Sequence, residues 1–371
     1  MIDLTVNGRF FSQPTTGVQR YAREILAELD LLVQDRRMDS HVAMNGNVVV
    51  PAGSDVPIMS AFKVQRTAGT GVLWDQFALP FAKRGVLLSL GNQGPIFASK
   101  HIICIHDLNV ALAPSSYSAA FRSYYRIMLP ILSRTAARVV TVSDFSARML
   151  SESGFCAPEK ITIIPNGHEH IKRWRPNNST FSSKAAPARP FVFTLGSRAP
   201  HKNIGMLFSI APELDALGLD LLVAGTSMSI FSTLDTPPLP PNVHVLGFVT
   251  DDDLAYLYQN AFCFAFPSLA EGFGLPALEA LAFGCPVVAS NTTSLPEICG
   301  EAALYADPRS PRTWLNQIDR LRTQPETAQH LRAKAARQVE RFSWARSARL
   351  YLDLIMSVSG AAPTRATVSN N

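Results

Sequence analysis

Cysteine is scarce and shows no pairing pattern. Cys104, Cys156, Cys263, Cys285 and Cys299 are odd in number, form no CxxC and have no histidine cluster beside them, so neither a disulfide framework nor a zinc site is indicated. Reduced, buried thiols of a cytosolic protein fit them best. No uncharged apolar run approaches the roughly 18 residues that a bilayer-crossing helix needs. The opening residues, MIDLTVNGRFF, lack a basic segment followed by an apolar one, so the protein is expected to be neither secreted nor membrane-spanning. Low-complexity tracts are absent, and there is no internal repeat of about 20 to 50 residues, which excludes solenoids and propellers. Charge is sparse at 17% against 47% hydrophobic residues, which excludes a disordered chain and leaves an ordinary globular one.

At 371 residues the chain is long for one hydrophobic core, and two domains are the starting expectation. Its net charge of +5 is uneven: residues 1–180 hold 19 Lys and Arg against 13 Asp and Glu, whereas residues 181–371 hold 15 against 16. A basic front half suggests an anionic partner such as membrane lipid, polyphosphate or nucleic acid. Short apolar runs alternate with longer amphipathic ones, the pattern of βα units around parallel sheets. Front-half strands are expected at Ile2–Val6, Val48–Val50, Val86–Ser89, Ile102–Ile105, Val139–Val142 and Ile161–Ile164. Back-half strands are expected at Phe191–Leu195, Asp220–Ala224, Val243–Val245, Cys263–Phe266 and Pro286–Ala289. Between the two sets, Lys172–Pro190 is rich in Ser, Asn, Pro and charge and reads as a linker, with the boundary near residue 185. Residues from Pro311 to about Gly360 read as helical. The fold class is therefore α/β, two Rossmann-like domains facing across a cleft, with ligands at the carboxyl ends of the strands.

One stretch, AEGFGLPALEALAFGCPVVAS (Ala270–Ser290), keeps two glutamates among apolar, Gly and Pro residues. Burying an unpaired carboxylate is costly, so Glu271 and Glu279 call for partners. Glu271 falls in a turn after the strand Cys263–Phe266, and Glu279 lies one turn inside a helix that Pro276 opens and Gly284 stops. The amides of Phe273, Gly274 and Leu275 at that helix N-terminus suit phosphate oxygens. Glu279 could accept from a vicinal diol, as the acidic residue of dinucleotide sites does with ribose. The alternative is that both acids merely complement the helix dipole.

EGFGLPALE resembles the Glu-x7-Glu signature of the retaining glycosyltransferases of family 4, which have the GT-B fold. The resemblance continues in PTTGVQRYARE (Pro14–Glu24), IHDLNVALAP (Ile105–Pro114), TVSDFSARML (Thr141–Leu150), IPNG (Ile164–Gly167), LGSRAPHKN (Leu195–Asn203) and LLVAGT (Leu221–Thr226). It implies an acceptor-binding domain over residues 1–172, a linker over 173–189, a nucleotide-sugar domain over 190–340, and a helix over 341–360 returning to the first domain. Lys202 then occupies the position that contacts the donor diphosphate, where a cation offsets the charge growing on the leaving group. Many members place an Arg directly after the glycine; this chain has Ser197 there and Arg198 one residue later, so a solvated surface role for Arg198 stays open. His106, at a strand end in the HD pair, matches a histidine near the donor sugar whose backbone carbonyl helps to stabilise the reacting centre. Gly17 matches a glycine beneath the phosphates, with helix capping by Thr-Gly as the alternative.

The acids of Asp251–Asp253 follow Thr250 and precede an apolar period, so they read as a helix start rather than a metal-binding Asp-x-Asp, and no catalytic metal is expected. FRSYYRIMLPILSRTAARVV places Arg122, Arg126, Arg134 and Arg138 at roughly helical spacing, compatible with an anionic bilayer or with a solvated face over a core. The resemblance implies transfer of a hexose with retention, the leaving diphosphate taking the acceptor proton, with Glu271 on the sugar, Glu279 on the ribose and no cofactor beyond the donor. The motifs TGVQRYARE, IHDLNV and GSRAPHKN are similar to those of bacterial mannosyltransferases of exopolysaccharide and lipopolysaccharide assembly that use GDP-mannose. The expected partners are thus GDP-mannose, a saccharide on a polyprenyl diphosphate, and the inner face of an anionic membrane touched by the front domain of a cytoplasmic protein; nucleic acid is not expected. Rival readings are another donor such as UDP-glucose or dTDP-rhamnose, an epimerase or phosphorylase on the same fold, and a two-domain sugar-binding protein.

Overall fold

A computed structural model of the chain describes residues 1–35, 43–182, 189–197, 199–225 and 239–360. Seven strands form one sheet: β1 (Ile2–Asn7), β2 (Met44–Pro51), β3 (Phe62–Thr67), β4 (Val86–Ser89), β5 (His101–Cys104), β6 (Arg138–Thr141) and β7 (Ile161–Ile163), in the order β3-β2-β1-β4-β5-β6-β7. Six form another: β8 (Phe191–Leu195), β9 (Asp220–Ala224), β10 (Val243–Gly247), β11 (Cys263–Phe266), β12 (Val287–Ser290) and β13 (Ala303–Ala306), in the order β10-β9-β8-β11-β12-β13. Neighbouring strands are parallel throughout. A parallel sheet has helices on both faces, so its central strands are apolar on both sides: all of β4, β5, β9, β11 and β12 is buried. Two strands escape the sequence reading. The edge strand β3, FKVQRT, is mostly polar and buries only Phe62, and β13, ALYA, is four residues long.

The chain forms two compact units. The described residues of the first are 1–35, 43–108, 123–167 and 343–360; the second contains 109–122 and the described part of 168–342. These limits differ from a division at residues 172 and 190, and side-chain contacts supply the reason. Ser116 Oγ accepts the His201 amide at 3.1 Å and Tyr117 stacks on His201, which fastens 109–122 to the second unit. His168 Nδ1 lies 2.7 Å from the Phe342 carbonyl, which fastens the segment beginning at 168.

In the first unit the helix Gly17–Gln34 buries Tyr21, Ile25, Leu26 and Leu29 at helical spacing. Asp30 on the same helix accepts from the amides of Ser60, Ala61 and Phe62 at 2.8 to 3.1 Å and so fixes where β3 begins. The helix Trp344–Ser359 belongs to this unit; Tyr351 Oη lies 2.9 Å from Tyr21 Oη. Gly167 of the IPNG motif allows the close approach, since a Cβ there would meet the Trp344 amide nitrogen at 2.1 Å.

In the second unit Thr250 and Asp253 form a reciprocal capping box for the helix Asp251–Asn260, so the three acids are a helix start. Asp253 also gathers the preceding segment: its Oδ1 accepts from Ser179 Oγ and the Thr180 amide, each at 2.8 Å. No helix of the described residues is long and apolar enough to cross a membrane, and no cluster of three or more His, Cys, Asp or Glu among them is placed to hold a metal ion. The five cysteines are buried and unbridged.

Burial alone would raise the Asp253 carboxyl, but hydrogen bonds from Thr250, Ser179 and Thr180 overcome it and hold its pKa at about 2. A depressed acid contributes stability above its unfolded pKa that is lost as pH falls through the folded value. Asp253→Asn is therefore expected to lower unfolding stability by about 1–2 kcal/mol above pH ~4. In urea titrations at stepped pH the gap to the parent should close between pH ~4 and ~2; a gap independent of pH over that window would refute the assignment.

Candidate active site

The strand order of the second unit reverses between β8 and β11: the chain leaves β8 toward β9 on one side and reaches β12 from β11 on the other. The loops after β8 and β11 therefore diverge at their carboxyl ends and leave a crevice, the usual ligand position of such sheets. Here the two loops are stitched together. The Leu269 amide donates to the His201 carbonyl at 2.7 Å, and Asn203 Nδ2 donates to the carbonyls of Pro267 at 3.1 Å and Pro308 at 2.7 Å. Lys202 Nζ lies 2.6 Å from Glu271 Oε1 and over the Phe266 ring. The lysine side chain is 24% exposed and that of the glutamate 9%, so each offsets a charge that would be costly alone in so dry a place.

Backbone strain concentrates at this point. Three non-glycine residues have positive φ among the described residues, and two of them, Asn203 and Thr293, belong here. The left-handed region is rare for a β-branched residue such as Thr, and a strained backbone of this kind costs about 1–3 kcal/mol. Thr293 Oγ1 accepts the Glu271 amide at 3.3 Å, and Ser294 Oγ lies 3.1 and 3.0 Å from the carbonyls of Glu271 and Phe273. The 293–294 turn thus props the glutamate loop from behind.

Gly274 caps the helix Leu275–Ala282 with φ 96°, and a Cβ there would meet Leu295 Cδ2 at 2.5 Å. Both facts restrict the position to glycine. Pro276 takes the second helical position rather than the first. The amides of Phe273, Gly274 and Leu275 donate to no protein acceptor among the described residues, which leaves them, with Lys202, as the cationic and donor face of the crevice.

Glu279 stands inside the same helix, 4% exposed. His170 Nε2 lies 3.0 Å from its Oε1, and Tyr258 Oη donates to its Oε2 at 3.3 Å. Both partners escape the sequence reading. The only available signal is the demand of a carboxylate in an apolar helix for a partner, and that demand does not say which residue answers it.

Of the remaining candidates, Arg198 lies outside the described residues, and His106 and Gly17 belong to the first unit. His106 follows β5 and is fixed on every side: its amide donates to Asn92 Oδ1 at 2.7 Å, its Nε2 lies 2.9 Å from the Leu90 carbonyl, and its own carbonyl accepts from Ser146 Oγ at 3.0 Å. Burial pushes the imidazole pKa down to about 4, against a smaller opposing effect of Leu90. The ring is therefore neutral at pH 7, with Nε2–H donated to Leu90. Gly17 opens the helix Gly17–Gln34 behind a Thr16–Gln19 capping box, and a Cβ there would touch nothing within 4 Å.

That helix start borders a cavity of about 180 Å³ at the carboxyl ends of β1 and β4, where the order of the first sheet reverses. Asn7, Arg9, Gln19, Asn92, Gln93 and Tyr125 line it. Arg9 bonds Asp75 and Gln93, Asn7 Nδ2 donates to Asp75 Oδ1 at 3.1 Å, and Gln93 Nε2 donates to Tyr125 Oη at 2.9 Å. Amides, a hydroxyl and a compensated ion pair suit a polyhydroxyl ligand. Sequence reading misses this group because Arg9 and Asp75 are 66 residues apart.

The four basic residues proposed as one face do not form one. Arg122, Arg126 and Arg134 lie on the helix Ala119–Thr135, whereas Arg138 opens β6. Arg122 donates to the Pro114 carbonyl and Arg134 to that of Gly154.

Residues 177–338 match the family model described as glycosyl transferases group 1. The chain is 29% identical over 266 residues to O-antigen chain mannosyltransferase B of Escherichia coli, covering 68% of this chain and 70% of that protein. It is 24% identical over 351 residues to O-antigen chain mannosyltransferase RfbU of Salmonella typhimurium, covering 90% and 95%. Its fold matches that of sucrose-phosphate synthase from Thermosynechococcus elongatus with a TM-score of 0.74 at 17% identity, over 98% of this chain and 100% of that one. With two Rossmann-type sheets, a Lys–Glu pair at the reversal point of the second, a glycosyl transferases group 1 match over residues 177–338 and mannosyltransferases of O-antigen assembly among its relatives, the chain is a glycosyltransferase with the GT-B fold.

Proposed function

We propose that the chain transfers mannose from GDP-mannose, with retention at the anomeric carbon, to a saccharide carried on a polyprenyl diphosphate during assembly of a bacterial surface polysaccharide. The names of the relatives support the sugar, and the observation that carries the mechanism is the Lys202–Glu271 contact at the reversal point of the second sheet. Lys202 and the amides of Phe273, Gly274 and Leu275 take the diphosphate; Glu271, already oriented by Lys202, accepts from hydroxyls of the sugar; Glu279 accepts from the ribose diol. The anomeric C–O bond to phosphate breaks, and the acceptor oxygen bonds that carbon on the same face. The acceptor proton passes to the departing diphosphate oxygen, whose growing charge Lys202 and the helix N-terminus stabilise. No metal or cofactor is assigned a part. The cavity beside Gly17, with Arg9, Asp75 and Gln93, takes the acceptor sugar, and the part assigned to His106 is that of its backbone carbonyl.

The membrane reading rests on a different element from the helix Ala119–Thr135. In the helical run 71–82, Leu73, Phe77 and Phe81 recur every fourth residue and are 71%, 62% and 91% exposed. Trp74 and Leu79 of the same run are buried. The loop running along this helix, held by the Gln76 side chain to Gly94 and Ile96, presents Phe97 at 87% exposure, and Arg84 and Lys100 nearby are exposed and basic. An apolar stripe edged with cations fits an anionic bilayer surface.

Incubated with a lipid-linked saccharide, the enzyme should release GDP from GDP-mannose and form an α-mannosylated product, and leave UDP-glucose and dTDP-rhamnose largely unused; preferential use of either alternative donor would overturn the assignment. Glu271→Gln is expected to lower kcat about 100-fold while GDP affinity stays within a few-fold, and Lys202→Ala to weaken GDP binding as well as kcat, the usual size of effect for one stabilising group. In flotation assays the protein should bind vesicles containing phosphatidylglycerol and not pure phosphatidylcholine. A Phe77→Ser/Phe81→Ser variant should lose that binding with turnover on a soluble acceptor unchanged; equal flotation of parent and variant would exclude this face.

A further inference from the structure

His170 is fully buried, and the proposed transfer chemistry gives it no task. Its Nε2 lies 3.0 Å from Glu279 Oε1, and Tyr258 Oη donates to the other oxygen at 3.3 Å. An ionised carboxylate only accepts, so Nε2 carries the hydrogen. The two donors arrive from different elements: Tyr258 from the helix Asp251–Asn260 and His170 from the segment Glu169–Arg173.

Both rings are held in place by aromatic packing that closes on the helix bearing Glu279. His170 meets Trp174 edge-on at 5.3 Å, Trp174 stacks on Phe283 at 5.9 Å, and Phe283 stacks on Tyr258 at 5.9 Å. Phe283 follows Glu279 by four residues, so the two side chains share a helix face. The segment carrying His170 is itself anchored further along, where Asp252 accepts the Arg175 amide at 2.6 Å and Asp253 holds Ser179 and Thr180. A buried carboxylate held this firmly is poor value for stability alone, because an apolar side chain of similar volume is commonly neutral or better at such a position. Fixing a carboxylate in advance does favour a ligand that hydrogen-bonds to it, since no side-chain freedom is lost on binding.

We infer that His170, assisted by Tyr258, is a positioning residue that fixes the orientation of the Glu279 carboxylate for the ribose diol of the donor and thereby sets the preference for a ribonucleotide. The inference rests on the reading of Glu279 as the ribose-binding group. A residue with only a packing role would, when altered, weaken ribo- and deoxyribonucleotides alike. A positioning residue weakens only the one whose hydroxyl meets the carboxylate.

The test is calorimetric titration of the full-length protein with GDP and with 2′-deoxy-GDP. The parent should favour GDP by about 10-fold, the size of one hydrogen bond to a charged acceptor. Glu279→Gln should abolish most of that preference. His170→Leu should do the same, leaving 2′-deoxy-GDP affinity within about 2-fold of the parent, and His170→Gln, which restores an N–H donor, should recover it. Tyr258→Phe removes one hydroxyl and keeps the stacked ring, so it reports on a folded protein even if His170→Leu does not fold; a loss of about 3-fold in preference is expected. If Glu279→Gln keeps the preference, the ribose reading falls and the inference with it. If Glu279→Gln loses it while His170→Leu and Tyr258→Phe keep it, or if both of these weaken the two nucleotides equally, the inference alone is overturned.

Discussion

The contact between Lys202 and Glu271 depends on a topological fact. Two consecutive crossovers leave the middle of the second sheet in opposite directions, so the loops after β8 and β11 are free to meet only at the carboxyl edge. The chain brings a cation on one loop and an anion on the other to 2.6 Å. It secures the meeting with a backbone hydrogen bond from Leu269 to His201 and with Asn203, whose amide reaches both Pro267 and Pro308. The strained φ values of Asn203 and Thr293 follow from the same requirement: a short loop that must turn sharply and still present a side chain accepts an unfavourable backbone angle, and the surrounding hydrogen bonds hold it there.

Buried carboxylates organise much of what lies around that contact, and each is satisfied in a different way. Asp30 accepts three consecutive amides and starts a strand. Asp253 completes a capping box and pins a neighbouring segment. Asp75, whose pKa burial raises in spite of Arg9 and Asn7, pairs with an arginine at a cavity wall. Glu279 takes an imidazole and a phenol. Amide and capping partners are local and commonplace, and they read as structure. An ion pair beside a cavity, or an aromatic clamp around one carboxylate, spends polar groups where apolar packing would serve, and so reads as function.

The same distinction explains what the sequence discloses. Apolar runs such as VLLS, CFAF and VVAS become buried parallel strands because alternation is unnecessary when both faces are covered. FKVQRT hides its strand because an edge needs little apolar surface, and Asp30, the residue that fixes it, lies more than 25 residues away. Glu271, Glu279, Lys202 and Gly274 stand out within short motifs, since charge among apolar residues and glycine before a helix are visible locally. Their partners do not stand out. Nothing around His170 in IPNGHEH or Tyr258 in DDDLAYLYQN announces that the two converge on Glu279 across separations of 109 and 21 residues; only the fold brings them together. The segment 109–122 is a similar case, because its membership of the second unit depends on Ser116 and Tyr117 meeting His201.

A histidine of this kind also clarifies the difference between the two that matter. His106 has an amide donor, a ring nitrogen and a carbonyl all engaged within its own unit, and burial keeps its ring neutral at a pKa of about 4. A group so disposed cannot act as a proton shuttle near pH 7, so the part proposed for it in transfer falls to its backbone. His170 holds a carboxylate rather than a carbonyl and faces inward rather than toward a strand end. Neither ring moves a proton in the proposed reaction, because the leaving diphosphate supplies the base. The demand on the protein is then orientation, which accounts for a site whose titratable side chains are tied to neighbours by short, directed hydrogen bonds.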